Sequence, residues 1–406
     1  MSGEADYQPV AAQERILLID LLRGLAMFGV LWSNLNDWYG ADVPHNALES
    51  GFRWVQDWIV ESRFYSLLGF LFGYGFGIQL LRADERGVDV RVMFDRRMGA
   101  LLMIGVAHGL FLWRGDILTA YAITGAVLAL FRRTSSRGLL IAAILMLVVV
   151  PFLEFVAVYA FHIHLPNAPN QDRIDWVYSH GSIVQIAAMG REGYFYWYTR
   201  WAPFVLPSFL SLFLLGLYAA KGSLLQRLAG CRQELVRICA TAAVGTLLAF
   251  GLIALLERLW PEPGSQQALG NPIRRSVFWV VGHFPTWSGA ATLAAGLAVL
   301  ATFPRIATRL TPLAAVGRMS LTTYLAQTVV SITLFYHFGF GLYGRVAYPG
   351  LFVITVVVFA LQMAVSAWWL ERFRFGPVEW VWRSMAYMRR QPMRQRSARS
   401  ASSSLA

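Results

Sequence analysis

The chain has 406 residues, of which 57% are hydrophobic and only 14% are charged, and its mean hydropathy is +0.50. This composition excludes an ordinary soluble domain and predicts an integral membrane protein of the all-α class. The formal net charge is +12, but the basic residues flank apolar segments instead of forming one polar face, so we expect no nucleic-acid partner.

Runs of about 20 apolar residues, the length that crosses a lipid bilayer as a helix, recur along the chain. They predict a polytopic bundle of about ten transmembrane helices, at 16–36, 64–81, 98–113, 117–131, 138–162, 202–220, 235–256, 277–301, 313–336 and 349–370. We therefore expect one transmembrane domain over 16–371, with halves at 16–162 and 200–371. The outer loop between the halves, 163–199, has room for one or two interfacial helices.

Basic residues predict the orientation, because cytoplasmic loops of membrane proteins carry an excess of Lys and Arg. With the N-terminal segment 1–15 in the cytoplasm, the cytoplasmic tails and connections carry 24 Lys and Arg, and the outer connections carry 10. Both termini are thus predicted to be cytoplasmic. The stretch 372–406 is basic and rich in serine, so we expect a mostly disordered tail that is attracted to anionic lipid headgroups.

The first predicted span, IDLLRGLAMFGVLWSNL, contains two opposite charges, Asp20 and Arg23. A charge inside a membrane helix costs about 2.5–3.5 kcal/mol on insertion scales, so it is normally tolerated only when it is paired or faces protein or water. Asp20 and Arg23 lie one helical turn apart, and Asn34 returns to within about 20° of the same face. The pattern predicts a polar inner stripe, which either locks the helix to a neighbour through a buried ion pair or contacts a substrate.

Arg63, immediately before the second span, is a further candidate for substrate contact. The span itself carries Gly69, Gly73 and Gly77 at intervals of four residues. Small residues at this spacing allow neighbouring helices to approach closely. The three glycines therefore predict helix packing.

Histidines and carboxylates interrupt several later spans. His108 lies near the outer end of the third span, and Asp116 opens the fourth. Asp116 is a typical helix N-cap, and capping is compatible with a role in a site. Glu154 in the fifth span and His283 in the outer part of the eighth are further buried candidates, each with a structural role as the alternative.

The ninth span carries polar side chains on one helical face, because Ser320, Tyr324, Gln327 and Ser331 follow one another at intervals of four, three and four residues. Hydroxyl and amide groups at this spacing commonly join transmembrane helices through hydrogen bonds. The alternative is that this face, with Tyr324 and Gln327, lines the same polar cavity as the stripe of the first span.

Four segments resemble the YeiB-like family of bacterial inner-membrane proteins, whose C-terminal half is a domain of unknown function. They are IDLLRGLAMFGVLWSN in the first span, SRFYSLLGFLFGYGFGIQL in the second, HGLFLWRGDILTAYAITG across the third and fourth, and GRMSLTTYLAQT in the ninth. The resemblance covers nearly the whole chain. It implies a multi-pass protein of the bacterial cytoplasmic membrane, and it brings no established reaction.

The opening Asp-Leu-Leu-Arg-Gly is also remotely similar to the start of transmembrane acyltransferases, such as the heparan-glucosaminide acetyltransferases. This similarity implies that Arg23 helps to hold the acyl donor and that a histidine near the outer face acts as the base. His45 occupies the first outer loop, where the heparan-type motif has its histidine. His108 matches the YeiB-like pattern, and His283 also lies toward the outer side.

The sequence therefore favours an acyltransferase-like protein that moves an acyl group from a cytosolic donor, acyl coenzyme A, to an acceptor in the cell envelope or to a small molecule. A guanidinium such as that of Arg23 suits an anionic donor, and a neutral imidazole can take a hydroxyl proton. The alternatives are a transporter or lipid flippase in which Asp20, Glu154 and the histidines form a proton relay, and a non-catalytic membrane partner. No permanently bound cofactor or metal is predicted, and the acyl group, the acceptor and the oligomeric state stay open.

Overall fold

The computed structural model describes residues 17–39, 46–60, 62–85, 87, 91–161, 166, 167, 169–261 and 271–395. Across this part of the chain the regular secondary structure is helical, and the only β-type pairing is an isolated bridge between Phe373 and Arg394. The predicted all-α class is confirmed. The predicted N-terminal segment 1–15 and the candidate His45 lie outside the described residues.

The N-terminal half contains α1 (Leu17–Tyr39), α2 (Ala47–Val55), α3 (Arg63–Glu85), α4 (Arg91–Phe111), α5 (Leu118–Leu128), α6 (Ser136–Ile144) and α7 (Val150–Ala160). A π-helical turn, Gln56–Val60, extends α2, and a 3-10 turn, Ala129–Phe131, extends α5. A second π-helical turn, Leu145–Val149, joins α6 and α7 into one apolar stretch.

Two helices, α8 (Gln171–His180) and α9 (Ile183–Arg200), occupy the predicted outer loop. The C-terminal half contains α10 (Ala202–Lys221), α11 (Leu224–Leu228), α12 (Arg232–Leu259), α13 (Pro272–Ala301), α14 (Pro304–Arg309), α15 (Thr311–Arg318), α16 (Ser320–Phe335), α17 (Tyr348–Arg372) and α18 (Pro377–Ala386).

Within the described part of the chain, seven helical stretches are long and apolar enough to cross a membrane. They are Leu17–Leu35, Arg63–Glu85, Ser136–Ala160, Ala202–Lys221, Arg232–Leu259, Ile273–Ala301 and Tyr348–Arg372. Each coincides with one of the ten predicted spans. The chain is therefore a multi-pass helical membrane protein.

The other three predicted spans are helical but are shorter or more polar. The first turns of α4 carry four charged residues, and the apolar helices Leu118–Phe131 and Ser320–Phe335 are shorter than the other spans. The predicted span 313–336 is not one helix, because the backbone of Met319 leaves the helical conformation between α15 and α16. This break places the start of α16 inside the protein, where its first amide groups need hydrogen-bond acceptors from other elements.

The packing centre is formed by α1, α3 and α10, and the predicted packing role is confirmed for Gly73 and Gly77, whereas a Cβ atom at Gly69 would make only ordinary contacts of 3.5 Å. A side chain at Gly73 would collide with the backbone of Phe213 in α10, and one at Gly77 would collide with Ala220. The neighbouring Phe213 is completely buried. Small residues thus bring α3 and α10 into backbone contact, which stabilises the pair through dense packing.

The helix pair α12–α13 lies at the edge of the bundle. Only 6% of the most apolar window of α12 is buried within the protein. A helix of 28 residues that exposes so much apolar surface is stable in lipid and not in water. This exposure supports the membrane assignment independently of hydropathy.

The prediction of a mostly disordered tail over 372–406 differs from the structure. Pro377–Ala386 forms α18, which packs against α4: the indole nitrogen of Trp382 donates to the carbonyl of Arg97 at 2.8 Å, and the Arg97 guanidinium lies 4.4 Å from the Trp382 ring centre. The reason is that Val378, Trp382 and Ala386, at intervals of four residues, give this helix an apolar face. Residues 396–406 lie outside the described part.

Candidate functional site

Two cavities lie at opposite ends of α1, α3 and α4, one lined by many arginines and the other by many aromatic side chains. The arginine cavity has a volume of about 320 Å³, and its lining includes six arginines, Arg23, Arg82, Arg97, Arg318, Arg374 and Arg383. The aromatic cavity has a volume of about 730 Å³, and its lining includes Tyr65, Trp113, Tyr196, Trp197, Trp201, Phe278, Trp279 and Trp287. Both volumes are adequate for a small-molecule site.

The arginine cavity carries a strong positive charge. Among its described lining residues, the six arginines face only two carboxylates, Asp20 and Glu379. A concave surface with this imbalance concentrates anions, and guanidinium groups suit phosphate and carboxylate oxygens. The cavity is therefore suited to a ligand with several negative charges.

Asp20 and Arg23 of α1 both line the arginine cavity, and the carboxylate of Asp20 attracts the Arg23 guanidinium. The absence of a side chain at Gly75 in α3 leaves room for this guanidinium, because a Cβ atom there would lie 3.0 Å from its terminal nitrogen. The polar stripe predicted for α1 thus faces a cavity at its first turns, and Arg23 is available to contact an anionic ligand.

The helix α18 contributes Glu379 to the same cavity and anchors itself through this carboxylate. Glu379 accepts hydrogen bonds from the backbone amides of Leu321 at 2.7 Å and of Thr322 at 3.1 Å, at the N-terminus of α16. A carboxylate is favoured there by the unpaired amides and the helix dipole. Burial nevertheless raises the pKa of Glu379, and this effect exceeds the lowering by its hydrogen bonds.

A buried polar cluster of His108, Asp116 and Thr328 lies between the cavities. The imidazole of His108 is 2.9 Å from Asp116 Oδ1 through Nδ1 and 2.9 Å from Thr328 Oγ1 through Nε2. His108 is only 2% exposed. A carboxylate can only accept from the imidazole, so Nδ1 carries the proton in the neutral ring, and Nε2 is left as the acceptor.

Asp116 combines two roles that the sequence left open. Its carboxylate accepts from the amides of Leu118 at 3.2 Å and of Thr119 at 2.7 Å, which is the hydrogen bonding of an N-cap for α5. The same carboxylate holds His108. The cap therefore orients the carboxylate toward the imidazole.

A thin wall separates the two cavities at this cluster. Asp116 lines the aromatic cavity, Tyr324 lines the arginine cavity, and Ile117 lines both. The Tyr324 ring centre is 5.2 Å from that of His108, and its hydroxyl contacts the carbonyl of Gly115 and the amide of Ile117, each at 3.4 Å. Tyr324 and the hairpin between α4 and α5 thus form a partition beside the imidazole.

Helix α9 closes the cluster on the side of the aromatic cavity. The Tyr198 hydroxyl donates to the carbonyl of Asp116 at 3.4 Å, and the Tyr194 hydroxyl donates to Thr119 at 3.2 Å. Burial, with the nearby Asp116 carboxylate as a second cause, raises the pKa of Tyr198. Both phenols therefore stay neutral donors around the carboxylate.

The remaining predicted residues fall into two groups. Asn34 lines the aromatic cavity and accepts from the Tyr65 hydroxyl, and His283 lines the same cavity from α13. Arg63 instead lies against Phe250 of α12, 5.6 Å from the ring centre. Gln327 donates to the carbonyl of Met27 and to Gln362, so it joins three helices in the way that the simpler interpretation of the ninth span predicts.

Several site residues were missed by sequence reasoning. Thr328 follows Tyr324 by four residues, about one helical turn, so the spacing could have placed it on the polar face of the ninth span. The predicted polar face instead continued from Tyr324 through Gln327 and Ser331. Arg374 and Arg383 were assigned to the tail because basic residues near a terminus usually bind lipid headgroups. The stripe Trp279–His283–Trp287 on α13, also at intervals of four residues, was detected only through its histidine.

Comparisons with known proteins extend over nearly the whole chain. Residues 219–389 match the family described as "Protein of unknown function (DUF418)". The chain is similar to the uncharacterized protein YxaH of Bacillus subtilis, with 32% identity over 97% of this chain and 99% of that protein. It is also similar to an uncharacterized 39.9 kDa protein of Bacillus acidopullulyticus, with 28% identity over 95% and 97% of the two chains. For the uncharacterized protein YeiB of Escherichia coli, the identity is 27% over 92% and 96%.

Proposed function

This chain belongs to the YeiB-like family of multi-pass membrane proteins, and we propose from its two cavities that it is a membrane acyltransferase. The donor is an acyl coenzyme A bound in the arginine cavity, which we place on the cytoplasmic side of the bacterial inner membrane. The acceptor occupies the aromatic cavity on the outer side. The observation that carries the proposal is the His108–Asp116 pair at the partition between an anion-binding cavity and a second, largely neutral one.

The donor site uses charge to hold the phosphates of coenzyme A. Arg23, Arg82 and Arg97 come from three different helices and line one cavity, so a polyanion can contact them together. The thioester end extends toward Tyr324 and Ile117, the residues of the partition. Binding energy from the phosphates thereby positions the reacting carbonyl.

The chemical step uses His108 as general base. The acceptor hydroxyl takes the place of the Thr328 hydroxyl at Nε2, gives its proton to the imidazole and attacks the thioester carbonyl. The new C–O bond forms, the C–S bond breaks, and the thiolate receives the proton from the imidazolium. Asp116 stabilises that imidazolium and holds its orientation, as a buried carboxylate does in other histidine-based sites.

The direct test is binding and transfer with purified full-length protein. Calorimetry should detect binding of acetyl or longer acyl coenzyme A to the wild type. His108→Ala should bind the donor normally and lower transfer by about 10²–10⁴-fold, the usual contribution of a general base. Donor binding should weaken in Arg23→Lys, because a point charge replaces a planar fork of donors. The matched control is Arg237→Lys, an exposed arginine of α12. If the folded wild type has no affinity for any acyl coenzyme A, the proposal is wrong.

A second candidate is a transporter for an organic anion, because two cavities on opposite sides of a thin partition are also typical of alternating access. In this case His108 and Asp116 exchange a proton during transport. Proteoliposomes loaded with labelled anion distinguish the candidates. Proton-coupled flux without any transfer product supports the transporter, whereas transfer without flux supports the enzyme.

A further inference from the structure

We propose that the apolar inner end of the arginine cavity holds a hydrocarbon chain, so that the ligand of this cavity is a single-chain amphiphile with an anionic head. This inner end is lined by Met27, Leu68, Phe72, Leu118 and Tyr121. As a binding site, the inference depends only on the cavity. As the identity of the transferred group, an aliphatic acyl chain longer than acetyl, it rests on the proposed function.

The lining of the arginine cavity changes along its length from charged to apolar side chains. On α1, Asp20 and Arg23 are followed by Met27. On α3, the lining extends from Arg82 at one end to Leu68 at the other, a separation of about 21 Å at the helical rise of 1.5 Å per residue. The cavity is therefore long enough to take a head and a chain side by side along these helices.

Contacts between α1 and α3 show that both linings change in the same direction. The two helices are antiparallel, because Gly75 of α3 adjoins Arg23 of α1, whereas Phe64 adjoins Gly29. The residue order on α3 is the reverse of that on α1, so the charged ends of the two linings coincide, and so do the apolar ends. The cavity thus has one charged end and one apolar end.

The inner end presents apolar surface and few polar atoms. Leu68 and Phe72 are only partly buried within the protein, so their side chains can contact a ligand. Tyr121, the residue of the inner end with a polar side chain, already donates its hydroxyl to the carbonyl of Tyr65 at 2.9 Å. A hydrocarbon chain gains free energy on such a surface, whereas a polar group would lose its hydrogen bonds to water.

The charged end of the cavity suits an anionic head. Among the described lining residues, six arginines outnumber the two carboxylates, Asp20 and Glu379. Guanidinium groups bind phosphate and carboxylate oxygens, whereas a cationic head would be repelled and a neutral head would gain little. A small hydrophilic anion would use only this end. In the proposed function, the chain at the inner end is the acyl group, next to the partition where the thioester reacts.

The test measures binding of alkyl phosphates to the full chain in lipid nanodiscs by calorimetry, with empty nanodiscs as the background. Butyl, hexyl and octyl phosphate share one head and differ only in chain length. Burial of one methylene group raises affinity up to about fourfold, so the dissociation constant should fall by roughly tenfold from each probe to the next. Inorganic phosphate, octanol and octylammonium, which lack either the chain or the anionic head, should bind at least about tenfold more weakly than octyl phosphate.

A variant that narrows the inner end should change the preference for chain length. Leu68→Phe should weaken binding of octyl phosphate by roughly tenfold, the effect of about two methylene groups that no longer fit, and should leave butyl phosphate nearly unchanged. Retained butyl phosphate binding shows that the variant is folded. The matched control is Leu247→Phe, which changes an exposed leucine of α12 and should leave all three affinities unchanged.

Photolabelling locates the chain without any substitution. An octyl phosphate with a diazirine at the end of its chain should label residues of α3 and α5 at the inner end, as read by mass spectrometry. Labelling confined to the lipid-exposed surface of α12 would show that the probe only partitions into the bilayer, and would overturn the inference.

Competition against octyl phosphate distinguishes two sources of the amphiphile. Octanoyl coenzyme A represents a cytosolic source and lauroyl lysophosphatidate a membrane source, and the stronger competitor identifies the source. The inference is overturned if neither competes, if affinity does not depend on chain length, if octanol or octylammonium binds as tightly as octyl phosphate, or if Leu68→Phe weakens all three probes equally.

Failure of this inference is distinguishable from failure of the acyltransferase proposal. Equal affinity for acetyl and octanoyl coenzyme A would preserve the enzyme and reject the chain pocket. Chain-dependent binding of alkyl phosphates without any affinity for acyl coenzyme A would preserve the chain pocket and reject the enzyme.

Discussion

At the scale of single residues, Asp116 combines the capping of a helix with a hydrogen bond to a buried imidazole. The carboxylate caps α5 through two backbone amides and also accepts from His108. Capping orients it, and the orientation selects the tautomer of the imidazole. A sequence motif can identify the cap, but the contact with His108 depends on the hairpin between α4 and α5.

Replacement of Asp116 by Asn separates these roles. Asn caps a helix about as well as Asp, so thermal unfolding should change little. The amide can instead donate to His108, which favours the wrong tautomer, and transfer should fall by about 10²–10⁴-fold. Activity and melting temperature, measured on the same preparation, check this expectation. Wild-type transfer in Asp116→Asn would show that the carboxylate only caps.

At the scale of elements, the hydrogen bonds that attach α18 to the bundle include those of one buried carboxyl group and one indole. Glu379 binds the first amides of α16, and Trp382 binds the backbone of α4. Because both residues line the arginine cavity, docking of α18 completes that site. We therefore expect displacement of this helix to weaken binding of the proposed anionic donor.

The docking of α18 should depend on pH through Glu379. Burial raises the pKa of Glu379 above its ordinary value of 4.5 in the docked helix. The docked state therefore binds the proton more tightly than the undocked state. Its stabilisation is fully present below pH 4.5 and is lost as the pH rises through the raised pKa. The protection of the α18 amides from hydrogen exchange, relative to their intrinsic rate at each pH, should fall over this range.

The control for this pH dependence is Glu379→Gln, whose amide is uncharged throughout. Its carbonyl oxygen can still accept from the α16 amides, so α18 stays docked, and the protection of its amides relative to their intrinsic exchange rate should not vary with pH in the same range. An unchanged pH profile in Glu379→Gln would assign the titration to another group.

Close packing between α3 and α10 provides a prediction with a matched control on α4. Gly73→Ala places a methyl group against the backbone of Phe213 and should destabilise the protein by about 1–3 kcal/mol, the usual cost of overpacking. No atom lies within 4 Å of a Cβ built at Gly99, so Gly99→Ala should be neutral or stabilising by up to about 1 kcal/mol. Unfolding in detergent compares the two. Equal effects would contradict the packing argument.

At the scale of the whole molecule, the proposed function depends on which side of the membrane each cavity faces. The basic residues that predict the cytoplasmic side include five of the six arginines of the arginine cavity, and the sixth, Arg23, lies within the first predicted span. A cytosolic anionic donor can therefore enter this cavity if the predicted orientation is correct. The aromatic cavity then faces the periplasm.

Cysteine labelling of intact cells tests the orientation, after Cys231 and Cys239 have been replaced. Reporters at Ser50 and Ser179 should react with an impermeant reagent from outside, and a reporter at Ser397 should react only after permeabilisation. The reverse pattern would place the arginine cavity outside the cell and reject a cytosolic donor.

Composition and periodicity were sufficient to predict the class of the fold, because the bilayer imposes simple rules on length and polarity. The seven candidate membrane helices were all found, and so were the glycines that join α3 to α10. Helix boundaries were less predictable where a span is short or interrupted. The break at Met319 lies between Arg318 and Ser320, but the segment as a whole is apolar enough to be predicted as one span.

The amino-acid sequence alone was enough to identify a multi-pass helical membrane protein with unusual charges in α1 and a histidine near the end of α4. Only the tertiary structure determined that Asp20 and Arg23 line one cavity, that Asn34 lines another, and that Thr328 meets His108 across 220 positions. The physical reason is that hydropathy and helical periodicity act within a segment, whereas a site depends on which helix faces pack together. That choice is made by side-chain shape and by hydrogen bonds between distant segments.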